Sequence, residues 1–168
     1  KEFIAWNILG ASAFQIGMQN EAIEAFSKAL LIKPDYAEAL NNMGNALKEK
    51  GELDKAIEAY KKCITLKPNY ANAYYNIGNT LKEQGELDKA IEAYRKSIIL
   101  KSNYTADCYN NMGVVLKDQG KMEDALKAFD KTIKLKPDHI EAYNNIGIIL
   151  KGIIFKEPNP GIYNSIVS

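Results

Sequence analysis

The chain has little cysteine or histidine, and it lacks a long uninterrupted apolar segment. Two of its 168 residues are cysteine and one is histidine. Cys63 and Cys108 belong to no CxxC pair or cysteine–histidine group, so nothing indicates a disulfide framework or a zinc site. The longest apolar run, residues 146–155, is interrupted by Lys151 and is far shorter than the roughly 20 residues that span a bilayer. We therefore expect no metal, no cofactor and no membrane-spanning segment.

An excess of charge of one sign is also missing, because 22 lysine and arginine residues are balanced by 21 aspartate and glutamate residues. The two signs are interspersed, which excludes a basic patch for nucleic acid or for a membrane surface. Apolar residues make up 46% of the chain, a globular composition. The chain begins with lysine and its last helical pattern stops incomplete, so we expect a piece of a longer protein. Our expectation for the compartment is the cytoplasm.

Repetition is what the chain has in abundance. The segment that begins LNNMGNALKEKGELDKAIEAY returns 34 positions later and then again after 35 positions, because one residue is inserted near Thr105. A divergent copy precedes these three, and a partial copy follows them. Such self-similarity is typical of repeat architectures. The predicted units are residues 3–36, 37–70, 71–104 and 106–139, with a truncated unit at 140–151.

Each unit carries two helical patterns separated by a glycine. In the second unit the first pattern has apolar or small residues at helical spacing, namely Leu40, Met43, Gly44 and Leu47. Gly51 then tolerates the positive φ of a helix end, and Pro68 closes the second pattern. One helix pair cannot bury its own apolar stripe, whereas stacked pairs can. The sequence therefore predicts an all-α solenoid of antiparallel helix pairs.

These positions resemble the tetratricopeptide repeat. In the second unit the matching residues are Leu40, Met43, Gly44, Leu47, Gly51, Ala56, Tyr60, Cys63 and Pro68. The resemblance covers residues 3 to about 151. It implies a right-handed superhelix in which the first helix of each unit lines a concave groove and the second helix lies outside. Ser102 stands where the pattern has proline, so we expect a local irregularity there.

The face of the first helices opposite the apolar stripe recurs from unit to unit, and we expect it to face solvent. One row on this face consists of Asn42, Asn76, Asn111 and Asn145. The neighbouring rows are Asn41, Tyr75, Asn110 and Asn144, then Asn45, Asn79, Val114 and Ile148, and finally the lysines Lys48, Lys82 and Lys117. These residues are the candidate peptide-binding site.

An asparagine amide offers a donor and an acceptor together, so it can bind a polypeptide backbone without reading its sequence. A similar asparagine ladder binds extended polypeptide in O-linked N-acetylglucosamine transferases, and this resemblance implies the same role here in units two to five. Ile8 replaces asparagine in the first unit, where we expect the ladder to end. The alternative is that the amides only join neighbouring first helices by hydrogen bonds.

Three other candidate residues would supply side-chain contacts. Tyr75 stands alone on the predicted face and is an anchor candidate, while Val114 and Ile148 could accept an aliphatic side chain. The alternative for each is a half-buried packing role. His139 takes the place of a repeat tyrosine, so we interpret it as a packing residue. Cys63 and Cys108 likewise occupy small buried positions.

The predicted function is a non-enzymatic module that binds an extended peptide or protein segment. One alternative is a substrate-recognition arm of a larger enzyme, such as a glycosyltransferase. Another is a scaffold that associates with itself through its terminal repeats or its tail. After Lys151 the pattern breaks, and residues 152–168 are predicted to form a turn and a short helix from Asn159 that caps the fifth unit or begins another domain.

Overall fold

A computed structural model describes residues 1–156 of the chain, with side chains up to Gly152. These residues form nine α-helices and no strand. The helices are α1 (Glu2–Gln15), α2 (Gln19–Ile32), α3 (Ala37–Glu49), α4 (Leu53–Leu66), α5 (Ala71–Glu83), α6 (Leu87–Ile99), α7 (Thr105–Asp118), α8 (Met122–Leu135) and α9 (Ile140–Lys156). The predicted all-α class is confirmed. None of the described helices is both long and apolar enough to cross a membrane.

The helices belong to two compact units, Lys1–Tyr104 and Thr105–Ser168. In the first unit each odd-numbered helix packs against the helix that follows it, and α2 and α4 also pack against the next pair. The first helices touch one another as well, α1 against α3 and α3 against α5. In the second unit α8 packs against both α7 and α9, and α7 touches α9.

Glycine ends the first helix of each complete pair. Gly17, Gly51, Gly85 and Gly120 have φ between +76° and +82°. At Gly51 the backbone closes the helix with two hydrogen bonds, Gly51 N–H to Lys48 O (2.8 Å) and Glu52 N–H to Leu47 O (2.9 Å). This pair of bonds is a Schellman motif, which satisfies carbonyl groups that the helix end leaves without partners. The predicted helix stop at Gly51 is confirmed.

A second glycine in each first helix makes room for an aromatic ring. A Cβ added at Gly44 would lie 2.4 Å from the ring of Tyr60 on the paired helix. The same contact recurs at Gly10, Gly78 and Gly113, each against the aromatic residue sixteen positions later. These rings are fully or almost fully buried: Phe26, Tyr60, Tyr94 and Phe129. The core of each pair is therefore built around a ring seated on bare backbone.

The predicted irregularity at Ser102 is confirmed. Helix α6 ends at Ile99, and Lys101 then adopts φ +53°, which is unusual for a residue with a side chain. The Ser102 hydroxyl accepts a hydrogen bond from the Tyr104 backbone N–H (3.0 Å). The second helices α2, α4 and α8 end instead on an extended lysine with φ between −135° and −139°.

Helix α9 is longer than predicted. We expected the helical pattern to break after Lys151, but the helix continues through Gly152 to Lys156. A single glycine costs a helix only about 1 kcal/mol relative to alanine, and the residues around it are good helix formers or apolar. The predicted short helix from Asn159 lies outside the described residues.

Candidate functional site

The asparagines of the compact unit Lys1–Tyr104 lie where α1, α3 and α5 run beside one another. Asn42 Nδ2 donates a hydrogen bond to Asn7 Oδ1 (3.2 Å), and Asn76 Nδ2 donates one to Asn41 Oδ1 (3.1 Å). Each bond joins a first helix to the one before it. We call the surface formed by Asn7, Asn41, Asn42 and Asn76 the amide edge. Part of its hydrogen-bonding capacity joins helices, as the alternative interpretation of the sequence proposed.

Two of the candidate asparagines are buried, which corrects the prediction that they face solvent. Asn41 is 6% exposed and Asn110 is 3% exposed. The prediction assumed that a first helix has one packed side, facing its own second helix. Helix α3 in fact touches α1, α2 and α5 as well as α4, so residues beside its apolar stripe are also covered. Asn42 and Asn76, one position further round the helix, remain half-buried.

The series of hydrogen-bonded asparagines begins in the first repeat, residues 3–36, where we expected the ladder to end. Ile8 is mostly exposed, but Asn7 beside it accepts the hydrogen bond from Asn42. Asn7 also donates to the Tyr36 hydroxyl (3.3 Å) and to Glu38 Oε1 (3.4 Å). Sequence reasoning missed Asn7 because it followed only the row that contains Asn42 back into the first repeat. Asn7 falls in the neighbouring row with Asn41, and that alignment was the signal.

A third set of asparagines holds buried tyrosine hydroxyls. Tyr60 donates to Asn45 Oδ1 and Tyr94 donates to Asn79 Oδ1, both at 2.8 Å. Burial raises the pKa of Tyr60, so its hydroxyl stays protonated and remains a donor. In the repeats whose buried ring is a phenylalanine, the position of Asn45 is taken by an apolar residue. This residue is Ala11 in the first repeat and Val114 in the fourth. This pairing of residue types is visible in the sequence and went unnoticed.

The prediction that Tyr75 stands alone is wrong. Its ring stacks on that of Tyr104, with centroids 4.6 Å apart and planes 10° from parallel. It also lies 6.2 Å from the ring of Tyr94 in a tilted arrangement. One face of Tyr75 is thus occupied, and the side chain is half-buried.

In the compact unit Thr105–Ser168 the asparagines have different hydrogen-bond partners. Lys117 Nζ donates to Asn145 Oδ1 (3.3 Å), and Asn110 Nδ2 lies 3.5 Å from Glu141 Oε2. Asn110 Oδ1 is buried and has no hydrogen-bond partner among the described residues. Asn111 is half-buried and Asn144 is exposed.

Two apolar candidates in the same unit differ in exposure. Val114 packs against the core cluster that contains Phe129 and Ile149. Ile148 is 60% exposed and is therefore the apolar candidate that can meet a ligand.

The lysine candidates and the histidine lie in different surroundings within the described residues. Lys48 lies 3.2 Å from Glu49, and Lys82 is half-buried. No group of three metal-ligating side chains occurs within the described part of the chain. His139 is buried, and its Nδ1 accepts a hydrogen bond from the Ala142 N–H (3.3 Å).

Both cysteines are buried, as predicted. Burial raises the pKa of the Cys63 thiol to about 11, so the thiol is neutral and unreactive near neutral pH.

Comparison with known proteins places this arrangement among repeat proteins. The family description "TPR repeat" matches residues 10–51 and 44–85, and "Tetratricopeptide repeat" matches residues 71–104 and 106–139. The crystal structure of MamA is 33% identical, with a TM-score of 0.78 over 86% of this chain and 84% of that chain.

Two further structures are similar in fold at lower identity. A MamA fragment from Desulfovibrio magneticus RS-1 is 20% identical, with a TM-score of 0.79 over 89% of this chain and 84% of that chain. PilF of Pseudomonas aeruginosa is 22% identical, with a TM-score of 0.81 over 90% of this chain and 68% of that chain. A comparison with curated protein sequences returned no match.

Proposed function

This chain belongs to the tetratricopeptide repeat family, and we propose that it is a protein-interaction module whose first helices bind an extended segment of a partner. The proposed binding surface in the compact unit Lys1–Tyr104 is the amide edge. The fold is an all-helical repeat solenoid of the kind that serves as an interaction scaffold. The partner is a polypeptide, because the surface offers amides and mixed charge rather than a basic patch.

The observation that supports this proposal is the state of Asn42 and Asn76. Each is half-buried, and each donates one Nδ2–H to an asparagine of the preceding first helix. That bond holds the amide in place, while no described residue donates to its Oδ1. An amide fixed in this way loses little further side-chain entropy when a backbone N–H binds it. Asn41 and Asn110 are too buried to contact a ligand, so their role is to position neighbouring groups.

Spacing and energy define the ligand. Packed helices lie about 8–10 Å apart, and an extended chain advances about 3.3 Å per residue, so one amide meets roughly every third ligand residue. A neutral hydrogen bond contributes about 0.5–1.5 kcal/mol, whereas a micromolar complex needs about 8 kcal/mol. Amides alone are therefore insufficient. Side-chain contacts of the ligand must supply the remainder.

The test is a displayed library of unstructured peptides selected on the whole chain. The bound peptides are then measured against the double variant Asn42→Ala/Asn76→Ala. Loss of two backbone contacts should weaken binding roughly 5- to 100-fold. The matched control is Asn20→Ala/Asn69→Ala, which removes two exposed amides elsewhere on the surface and should leave the affinity unchanged.

Thermal unfolding of both variants separates binding from folding, because the amides of the edge also join helices. A second arm methylates single backbone nitrogens of a selected peptide. Methylation at about every third residue should weaken binding, whereas alanine at the same peptide positions should matter less. If the folded double variant binds as tightly as the parent, the amide edge is not the binding surface.

A further inference from the structure

Three pairs of neighbouring first helices carry the same two asparagines, one on each helix and 35 positions apart. We call the hydrogen bond that the second asparagine of a pair donates to the first a rung. Helices α1 and α3 carry one pair, α3 and α5 the next, and α7 and α9 the third. The pairs are Asn7 with Asn42, Asn41 with Asn76, and Asn110 with Asn145.

Two of the three rungs are formed. Asn42 and Asn76 donate to the preceding asparagine at 3.2 and 3.1 Å. Asn110 Oδ1, which should accept the third rung, is buried and has no hydrogen-bond partner in the part of the chain that the structure describes. Asn145 instead accepts a hydrogen bond at its Oδ1 from Lys117 Nζ (3.3 Å). A buried acceptor without a partner is unfavourable, so the open rung needs a physical cause.

The residue that lies 28 positions before the donor asparagine differs among the three pairs. It is Phe14 in the first pair, and phenylalanine has no donor. It is Lys48 in the second pair, and Lys48 Nζ lies 3.2 Å from the carboxylate of Glu49. It is Lys117 in the third pair, where the lysine bonds to the asparagine amide. The rung is thus formed where the lysine is absent or paired with a carboxylate, and it is open where the lysine takes the amide.

Lys117 lacks the carboxylate that Lys48 has. Asp118 takes the position of Glu49, but its side chain is one methylene shorter, and it forms no ion pair with Lys117 among the described residues. A carboxylate is a stronger acceptor for an ammonium group than a neutral amide is. Lys117 and Asn145 are both half-buried, so a group from outside the chain can reach them.

We propose that Lys117 binds the carboxylate of an acidic side chain in the bound polypeptide, and that this binding closes the third rung. The inference rests on the proposed function, which takes the ligand to be an extended polypeptide. The ligand carboxylate replaces Asn145 Oδ1 as the acceptor of Lys117 Nζ, in the way that Glu49 occupies Lys48. The Asn145 amide then turns and donates to Asn110 Oδ1. The buried acceptor gains its partner, and α9 is held more firmly on α7.

A variant without the lysine tests the switch in the absence of any ligand. Lys117→Met removes the competing donor, so the rung should close and the Tm of the whole chain should rise by about 2–4 °C, although a hydrogen bond has been deleted. The matched control makes the same change in the Asn145→Ala background, where no rung can form and the Tm should stay nearly constant. An equal change of Tm in the two backgrounds would overturn the proposal.

Two capped peptides test the carboxylate. The probe is acetyl-Gly-Glu-Gly-amide, and its control has glutamine in place of glutamate. In an NMR titration the glutamate peptide should move the side-chain amide signal of Asn145 toward its position in Lys117→Met. It should also bind about two- to fivefold more tightly than the glutamine peptide. Equal affinities, or an Asn145 signal that does not move, would overturn the proposal.

A third peptide distinguishes an acidic side chain from a chain end. It is the glutamine peptide with a free C-terminal carboxylate in place of the amide. A weaker effect than that of the glutamate peptide supports recognition of a side chain. If this peptide alone moves the Asn145 signal, the assignment to an acidic side chain is wrong.

The switch and the amide edge can fail separately. The comparison at Lys117 and Asn145 needs no ligand, whereas Asn42→Ala/Asn76→Ala is judged by peptide binding. A gain of Tm that depends on Asn145, together with unchanged binding in that double variant, would contradict the amide edge and support the switch. A Tm change independent of Asn145, together with weakened binding, would contradict the switch and support the amide edge.

Discussion

At the residue scale, one hydroxyl group determines which residue the first helix carries opposite it. A buried tyrosine needs an acceptor, because an unsatisfied buried donor costs about 1–3 kcal/mol. Tyr60 and Tyr94 therefore face Asn45 and Asn79. Phenylalanine at the same place needs none, and Phe129 faces Val114 instead. Part of the recurrence of asparagine in these repeats thus has a structural cause that is separate from ligand binding.

A double-mutant cycle at Tyr60 and Asn45 measures this dependence. Tyr60→Phe should cost about 0.5–1.5 kcal/mol, since half-buried Asn45 can still reach water. Asn45→Val should cost more, about 1–3 kcal/mol, because it leaves the buried hydroxyl without its acceptor. The double variant recreates the pair found in the fourth unit and should be more stable than the sum of the single costs predicts, by about 1 kcal/mol. Chemical denaturation gives these values, and strict additivity would contradict the coupling.

The Cys63 thiol should make stability depend on pH in the alkaline range. Burial raises its pKa to about 11, whereas an unfolded cysteine titrates near about 8.5. The unfolded chain therefore loses this proton first, and the free energy of unfolding falls as pH rises between these two values, by up to about 1.4 kcal/mol per pH unit. Cys63→Ala introduces the residue that the first repeat has at this position, and it removes the contribution of the thiol to the pH dependence. Denaturation of both proteins from pH 8 to 10.5 should show a shallower slope for the variant, and equal slopes would contradict the prediction.

At the element scale, each helix pair depends on two glycines for opposite reasons. Gly51 ends α3 because its backbone adopts φ +82°, and an added Cβ there would meet nothing within 4 Å. Gly44 lies inside α3 with ordinary helical geometry, and its importance is the space that Tyr60 fills. The sequence predicted the stop at Gly51 from local order alone. It did not predict which ring covers Gly44, since that contact joins two helices.

Substitution separates the two roles. Gly44→Ala should destabilise the chain by about 1–3 kcal/mol through overpacking, even though alanine is the better helix former. Gly51→Ala should cost about 1–2 kcal/mol because of its left-handed backbone. Gly51→Asn should cost less than Gly51→Ala, since asparagine tolerates that region better, and it serves as the control. Urea denaturation measures all three, and a stabilising Gly44→Ala would refute the ring contact.

At the scale of the whole molecule, opposite charges are balanced and paired at the surface. Lys28–Glu24, Lys62–Glu58 and Lys127–Glu123 are exposed pairs four residues apart on single helices. Such exposed pairs contribute little to stability and are screened by salt. The solenoid is held together mainly by its apolar contacts and by the bonds between first helices.

Stability should accordingly respond weakly to ionic strength. Raising NaCl from low to high concentration should move the Tm by no more than about 3 °C, as measured by circular dichroism. Glu58→Gln, which removes one exposed pair, should leave the Tm almost unchanged and serves as the reference for a single pair. A large loss of stability in salt would mean that the ion pairs matter more than their exposure indicates.

The sequence by itself determined the all-α class, the glycine stops of the first helices and the repeat family, because each depends on spacing along one chain. It also marked the irregularity at Ser102 through a missing proline. Only the tertiary structure decided which asparagines are buried. Asn41 and Asn42 are adjacent in sequence and alike in chemistry, yet they lie about 100° apart on the helix and face different neighbours. A helix with four neighbours buries more than one stripe, and the number of neighbours is a property of the stack rather than of any repeat taken alone.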